Sequence, residues 1–455
     1  MSEPQLAQIQ GANCGFQYLG AVGRKRIEPV TKGGAMGSFN LFSRLMTRRR
    51  FGQAGLFSLV SQSKLLQAQT RSVSVQESVN FLGNLVPILA SIQKERGFPM
   101  DYAHRKGLSL EEWRRRGREQ IERTLSYSPK QVPLNLKVHD SVECRGYTLR
   151  VISFAGSAHY RVPAFLLVPA LGKAPYPAVL ALHDHGGYYY HGKEKLVEME
   201  SEHPALTKFK QECYGNRSFA SELARRGFVV LVADAFYWGE RRLEYQQLPP
   251  DLAKNLAGLQ PNQAEYVKVV NTYLSQRVFG LNSWLAFCGA NWMGIIVHDD
   301  RRSLDVLSSL PEVNKDRLGC LGLSVGGYRS TYLSGLDSRV RAAVIVGWMT
   351  SLPTMLEIPD YSHKGLPDAF GLHAFLDHPD IASLAAPDCA TFVQQCARDD
   401  LFTRAGMEQA SEKIRCVYED LKHPRRFQSK FYDVPHSFDV PMQEEAFQWL
   451  ERWLG

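Results

Sequence analysis

The chain has 455 residues, 44% apolar and 22% charged, which excludes a disordered protein and suits one large domain with additions or two ordinary ones. Its net charge of +8 is local: residues 1–71 carry ten basic side chains against two acidic ones, and of 54 basic and 46 acidic residues in total, 44 of each remain. That balance excludes a nucleic-acid footprint from the folded part, and no apolar stretch is long enough for a membrane-spanning helix.

Residues 1–70 read as a basic presequence. Thr47-Arg48-Arg49-Arg50-Phe51-Gly52-Gln53, followed by the weakly apolar Ala54–Val60, resembles a bacterial twin-arginine export signal. Met36 and Met46 are candidate initiators, because the arginines begin far from Met1, and Ala68 is a candidate cleavage position. The resemblance implies export to the periplasm or beyond. Eight cysteines are scattered without zinc-ligand spacing, and the seven beyond the presequence leave at least one free thiol.

Residues 71–140 read as an N-terminal helical segment. Ser109-Leu110-Glu111-Glu112 is a capping box opening a helix whose apolar side carries Leu110, Trp113, Ile121 and Leu125. From about residue 141 strands take over at Glu143–Phe154, Tyr160–Val168, Ala178–Leu182 and Phe228–Ala233. Further strands are predicted at Arg317–Leu323, Val340–Gly347, Ala390–Ala397 and Phe427–Val434, alternating with helices. Near-continuous apolar strands between helices predict an α/β fold, a mostly parallel sheet covered on both faces, over residues 141–455. Two segments, about 238–291 and 349–387, are too long for simple connections and read as lid-like insertions overhanging the strand ends.

Gly322-Leu323-Ser324-Val325-Gly326-Gly327 is a G-x-S-x-G string between an apolar strand and a helix-compatible run. A nucleophile exposed on a sharp strand-to-helix turn needs glycines two residues either side, where a Cβ would collide. Serine attacks only if a base takes its proton, and the base needs a carboxylate to orient it. His436, in a loop after the last strand, is the predicted base, ahead of His423, which lies at a helix end on the opposite edge. The predicted acid is Asp399, with Asp400 as the alternative. Oxyanion donors are expected from the N–H of Val325 and from the loop His183-Asp184-His185-Gly186-Gly187-Tyr188, with Gly187 first and Tyr188 next. His183, Asp184 and His185 are read as ordering that loop by hydrogen bonds, and no metal is called.

With those residues in this order, the region from about 140 to 453 resembles the dienelactone hydrolase and acetyl xylan esterase-like branch of the α/β-hydrolases. Asp234-Ala235-Phe236-Tyr237-Trp238-Gly239-Glu240-Arg241-Arg242 after a strand and Arg302–Leu307 before the nucleophile strand add to the likeness. The resemblance implies ester hydrolysis through an acyl-enzyme without a cofactor, on a small-molecule or carbohydrate ester. Dienelactone hydrolase itself uses cysteine, so Ser324 departs from it. Xylan deacetylases usually lack so large an insertion after the fourth core strand. Tyr188, Trp238 and Trp348 read either as stacking surfaces for a sugar or aryl group or as lid packing. Arg241 reads either as an anchor for a substrate carboxylate or as the partner of Glu240 or Asp234. Two rival readings are a peptidase or amidase of the prolyl-oligopeptidase-like type and a non-catalytic carbohydrate-binding relative.

Overall fold

The computed structural model of the protein describes residues 82–358 and 369–455. The basic presequence, with its paired arginines and the export reading placed on it, lies outside the described residues, as does part of the second insertion. Nine strands form one sheet: β1 (Lys137–Cys144), β2 (Tyr147–Ala155), β3 (Arg161–Pro169), β4 (Tyr176–Leu182), β5 (Val229–Ala233), β6 (Val313–Leu323), β7 (Val340–Val346), β8 (Ala390–Cys396) and β9 (Phe427–Tyr432). In space they run β1-β2-β3-β5-β4-β6-β7-β8-β9. The first three pairings are antiparallel and the five from β5 to β9 are parallel. Parallel strands need crossover connections, and helices supply them. The helices of the described residues are α1 (Val86–Arg96) and α2 (Leu110–Leu125) ahead of the sheet, then α3 (Pro204–Tyr214), α4 (Phe219–Arg225), α5 (Pro250–Leu256), α6 (Ala264–Ser275), α7 (Val278–Phe287), α8 (Trp292–Ser309), α9 (Val325–Leu336), α10 (His378–Ser383) and α11 (Arg404–Asp420) between strands, and α12 (Val440–Leu454) after β9.

Successive strand residues face opposite sides of a sheet, and here both sides are covered. Val179 and Ala181 of β4 pack with α3, α4 and α12, whereas Ala178, Leu180 and Leu182 pack with α8 and α9. That explains why the central strands read as unbroken apolar runs. Two strand expectations change. The run Glu143–Phe154 is the end of β1, a turn at Arg145 and Gly146, and β2. β1 escapes a periodicity search because it is an edge strand, exposed along nearly its whole length. β6 begins at Val313 rather than Arg317, its first turn being polar and partly exposed.

The N-terminal helical segment shares the main core. Trp113, Ile121 and Leu125 of α2 are buried in the cluster that holds Tyr328, Trp348 and Leu384. A Cβ on Gly117 would lie 2.8 Å from Leu384 Cδ2, so glycine permits this close approach. Arg114 Nε donates to Leu384 O at 3.0 Å, and Arg118 Nε donates to Gly335 O at 2.8 Å. Ser109 Oγ caps α2 by accepting from Glu112 N–H. The Glu112 carboxylate pairs with Arg115 and Arg116.

The insertion after β5 carries α5, α6 and α7. Its α6 is tied to the sheet's carboxyl edge: Asn271 Oδ1 accepts from the N–H of both Tyr189 and Tyr190, and Tyr237 Oη donates to Leu274 O. Behind the nucleophile turn, Arg329 of α9 and Asp300 of α8 form a two-pronged pair at 3.0 and 2.6 Å, both side chains almost wholly buried. Removing one partner of such a pair leaves a charge buried and uncompensated. Asp300→Ala is expected to cost about 3–5 kcal/mol, read as a fall in the urea midpoint. Glu265→Ala, which breaks the exposed pair with Lys268, should change stability by less than about 1 kcal/mol.

Candidate active site

The parallel strands deliver their following loops to one edge. Ser324 follows β6, Gly347 and Trp348 follow β7, Asp399 follows β8, His436 follows β9, and the His183–Tyr188 loop follows β4. Ser324 has φ 58° and ψ −123°, a left-sided conformation uncommon for a residue with a side chain. Its N–H donates to Val346 O at 2.9 Å, and α9 begins at the next residue. The glycines are required by contact. A Cβ on Gly322 would lie 2.5 Å from Leu182 O, one on Gly326 2.1 Å from the same oxygen, and one on Gly327 2.8 Å from Val346 O.

His436 Nδ1 and Asp399 Oδ2 are 2.6 Å apart, with the carboxylate side chain 1% exposed. Asp399 Oδ1 accepts from Leu401 N–H at 2.8 Å, which fixes the carboxylate plane. The other imidazole nitrogen, Nε2, is buried without a hydrogen-bond partner among the described residues. A Cβ built on Gly347 would lie 3.2 Å from His436 Cε1 and 3.3 Å from Leu323 Cδ1, so the ring sits over the turn that carries Ser324. Asp400 is exposed on the adjacent turn, and His423 is exposed beyond α11 at the start of β9, on the opposite edge.

Val325 is the first residue of α9, where N–H groups have no acceptor within the helix. Gly187 is engaged differently from the expectation. Gly186 and Gly187 both have positive φ and form the centre of a tight turn closed by Tyr188 N–H on His185 O at 3.1 Å. Inside it the Gly187 N–H donates to His185 Nδ1 at 2.8 Å, so both Gly187 and Tyr188 have committed their N–H groups. His183 orders the loop, as expected. Its Nε2 accepts from Ala235 N–H at 3.1 Å, so its Nδ1–H donates to Asp184 O at 2.9 Å.

The aromatic and arginine candidates are interior residues. Trp238 is 0% exposed, stacked between Tyr189 and Trp292. Trp348 is 2% exposed, stacked on Tyr328 and met edge-on by Phe402. Tyr188 stacks on Phe209 and bonds His191 through its hydroxyl. Arg241 takes the structural role with a different acid: its guanidinium pairs with the buried carboxylate of Asp299 of α8 at 2.7 Å, and its Nη1 also donates to the backbone oxygen of Asp234 at 3.2 Å. Lid packing is therefore what the described residues give for Trp238, and an ion pair for Arg241.

Sequence reasoning passed over Gly192-Lys193-Glu194-Lys195, since a short charged string reads as a solvated face. Both lysines are fully buried. Lys193 Nζ lies 2.8 Å from Asp234, 3.0 Å from Glu194 and 2.6 Å from Glu240. These three carboxylates lie close enough together to hold a metal ion, but the Lys193 ammonium already stands among them. Burial opposes its charge, and the carboxylates together outweigh burial, so its pKa lies above the ordinary lysine value.

No family model matches the chain. The Bacillus subtilis (strain 168) protein YtaP, provisionally named a hydrolase, is 22% identical over 340 residues, covering 74% of this chain and 98% of that one. A Bacteroides fragilis protein, provisionally named an acetyl xylan esterase, superposes with a TM-score of 0.54 at 16% identity, over 79% of this chain and 84% of that one. The fold is that of the α/β-hydrolases. A glucuronoyl esterase from Solibacter usitatus superposes with a TM-score of 0.49 at 13% identity, over 78% of this chain and 94% of that one. Among the described residues no helix is long and apolar enough to cross a membrane.

Three imidazoles, those of His183 and His378 buried and that of His191 partly so, give the protein an acid limit. Burial, reinforced by Arg329 and Lys195, holds His183 well below its ordinary pKa; burial lowers His191 to about 4; burial, with His373 beside it, holds His378 well below 6.5. Each stays neutral in the folded chain at a pH where the unfolded chain already binds its proton, so stability rises with pH across that interval and is lost as pH falls from about 6.5 toward 4. Urea midpoints measured at half-unit steps should fall over this window, and less steeply for His191→Gln. A flat profile would contradict the burial of these rings.

Proposed function

We propose that the chain is a serine-dependent carboxylic-ester hydrolase that works through an acyl-enzyme, with Ser324 as nucleophile, His436 as base and Asp399 as the carboxylate that orients it. The observation that carries this reading is the 2.6 Å contact between His436 Nδ1 and Asp399, which leaves Nε2 without a partner over the turn that holds Ser324. Ser324 Oγ attacks the ester carbonyl carbon while its proton passes to Nε2, and the carbonyl oxygen takes the negative charge. The N–H of Val325, at the positive end of α9, is one donor to that oxygen, and the loop after β4 supplies the other. Collapse of the tetrahedral species breaks the bond to the alcohol oxygen, which leaves with the proton held on Nε2. Water then repeats the sequence on the acyl-enzyme and releases the acid. No cofactor enters these steps.

For the substrate, the shared fold with a Bacteroides fragilis protein named for acetyl xylan makes acetylated carbohydrate the first class to try. We also propose export by the twin-arginine route, on the strength of Arg48, Arg49 and the weakly apolar run after them.

Ser324→Ala should lower turnover of p-nitrophenyl acetate by on the order of 10⁴-fold or more; activity within about tenfold of the parent would overturn the mechanism. Asp399→Asn should cost far more than Asp400→Asn, and the reverse order would reassign the acid. Replacing Arg48 and Arg49 by Lys should hold the precursor in the cytoplasm, and cleaved protein outside it would refute the export route.

A further inference from the structure

The insertion after β5 ends in α7, whose only polar side chains are those of Asn282 and Ser283. A helix that is apolar on every side belongs in an interior, yet α7 is covered on one side alone. Val278 is buried, and Leu281 and Leu285 pack against the cluster that holds Trp238 and Trp348. On the other side Phe279 is 63%, Trp284 70% and Phe287 82% exposed. No charged side chain stands between Arg277 and His298. The Arg277 guanidinium itself is engaged by Tyr273 O and by Asp251.

The size, charge and shape of this face restrict what can cover it. An aromatic side chain buries about 150–250 Å², so the three open rings offer about 300–550 Å² between them. A stable protein–protein contact takes about 800 Å² from each partner, which is more than α7 can give to a second copy. A charged polymer finds no opposite charge along the helix. Trp284 and Phe287 meet edge to face, with 5.9 Å between centres and 78° between planes, which leaves no flat pair of rings for a sugar chain to lie across. A lipid–water boundary requires none of these features. It takes up an uncharged aromatic face one ring at a time, and an indole suits the level where acyl chains meet headgroups. Ten residues are too few to span a bilayer, so such a helix lies in the plane of the surface.

We propose that α7 seats the protein on a lipid surface of neutral headgroups, with Phe279, Trp284 and Phe287 entering the boundary between headgroups and acyl chains. The same insertion carries α6, which is bonded to the stretch after β4, so lipid meets the protein through the segment that borders the candidate site. The docking does not depend on the acyl-enzyme reading.

The test uses the full chain with phosphatidylcholine vesicles at low and at high salt. Residues 1–71, with ten basic side chains against two acidic ones, are drawn to anionic lipid and screened by salt, so neutral vesicles isolate the contribution of α7. The parent should co-sediment with the vesicles equally at both salts. Trp284→Ser should weaken partition by about tenfold, and Phe279→Ser, Trp284→Ser and Phe287→Ser combined by about 100-fold or more. All three side chains face solvent, so these variants keep the core intact. Of the seven tryptophans only Trp284 is largely exposed, and phosphatidylcholine brominated on its acyl chains should quench it. Trp284→Phe should lose that quenching while still sedimenting. A parent that stays in solution overturns the proposal, as does sedimentation that the triple variant retains or that high salt abolishes. A parent dimer that the triple variant dissolves overturns it in favour of a second copy, and retention on insoluble xylan that Trp284→Ser abolishes overturns it in favour of a carbohydrate.

Discussion

Ser324 occupies a backbone conformation of the kind that costs about 1–3 kcal/mol and persists only where its surroundings over-determine it. Here three glycines, at 322, 326 and 327, let the chain reverse within contact of Leu182 O and Val346 O. The strained residue is pinned between neighbours on both sides, since its own N–H donates to β7 while the next turn presses on the end of β4. The sheet order places β4, β6 and β7 side by side, so the strand topology and the strain of one serine are the same fact at two scales. The flanking strand ends bring Asp399 and His436 to the same edge without any further strain being visible in their backbones.

Around that edge the interior is unusually polar, and its polarity is paired. Arg329 with Asp300, Arg241 with Asp299, and Lys193 with Asp234 bind α8, α9 and the segment after β5 to one another beneath the loops. Apolar packing alone is tolerant of small shifts, whereas ion pairs and hydrogen bonds fix distance and direction together. The division of labour follows: the apolar layers hold the sheet and helices, and the buried charges set the angles of the loops that rise from it.

Much of this was legible from residues alone because the relevant signals are local or periodic. The apolar strands, the stripe of α2 and the Gly322–Gly327 string each carry their own pattern, and Ser324, Asp399 and His436 all emerge at one edge of the sheet. What escaped is non-local. β1 has no apolar face to announce it, being exposed at an edge. Lys193, Lys195 and Arg329 look like ordinary surface charges until carbonyls and carboxylates from distant segments are gathered round them. Trp238 and Arg241 lie in the right stretch of chain for a ligand wall, yet stacking on Trp292 and pairing with Asp299 turn them into the interior. The N–H of Gly187 was misread for a similar reason, since only the three-dimensional turn shows His185 reaching back for it.

Asn271 gives the insertion after β5 a meaning beyond cover. One amide oxygen on α6 satisfies the N–H groups of both Tyr189 and Tyr190, in the stretch that continues from the loop beside the nucleophile. An insertion joined this way cannot be exchanged as a module: a graft that trims α6 strands two backbone donors, and a graft of the β4 loop alone arrives without its acceptor. The two segments are one unit of inheritance, and any chimera made within this fold has to cut outside both.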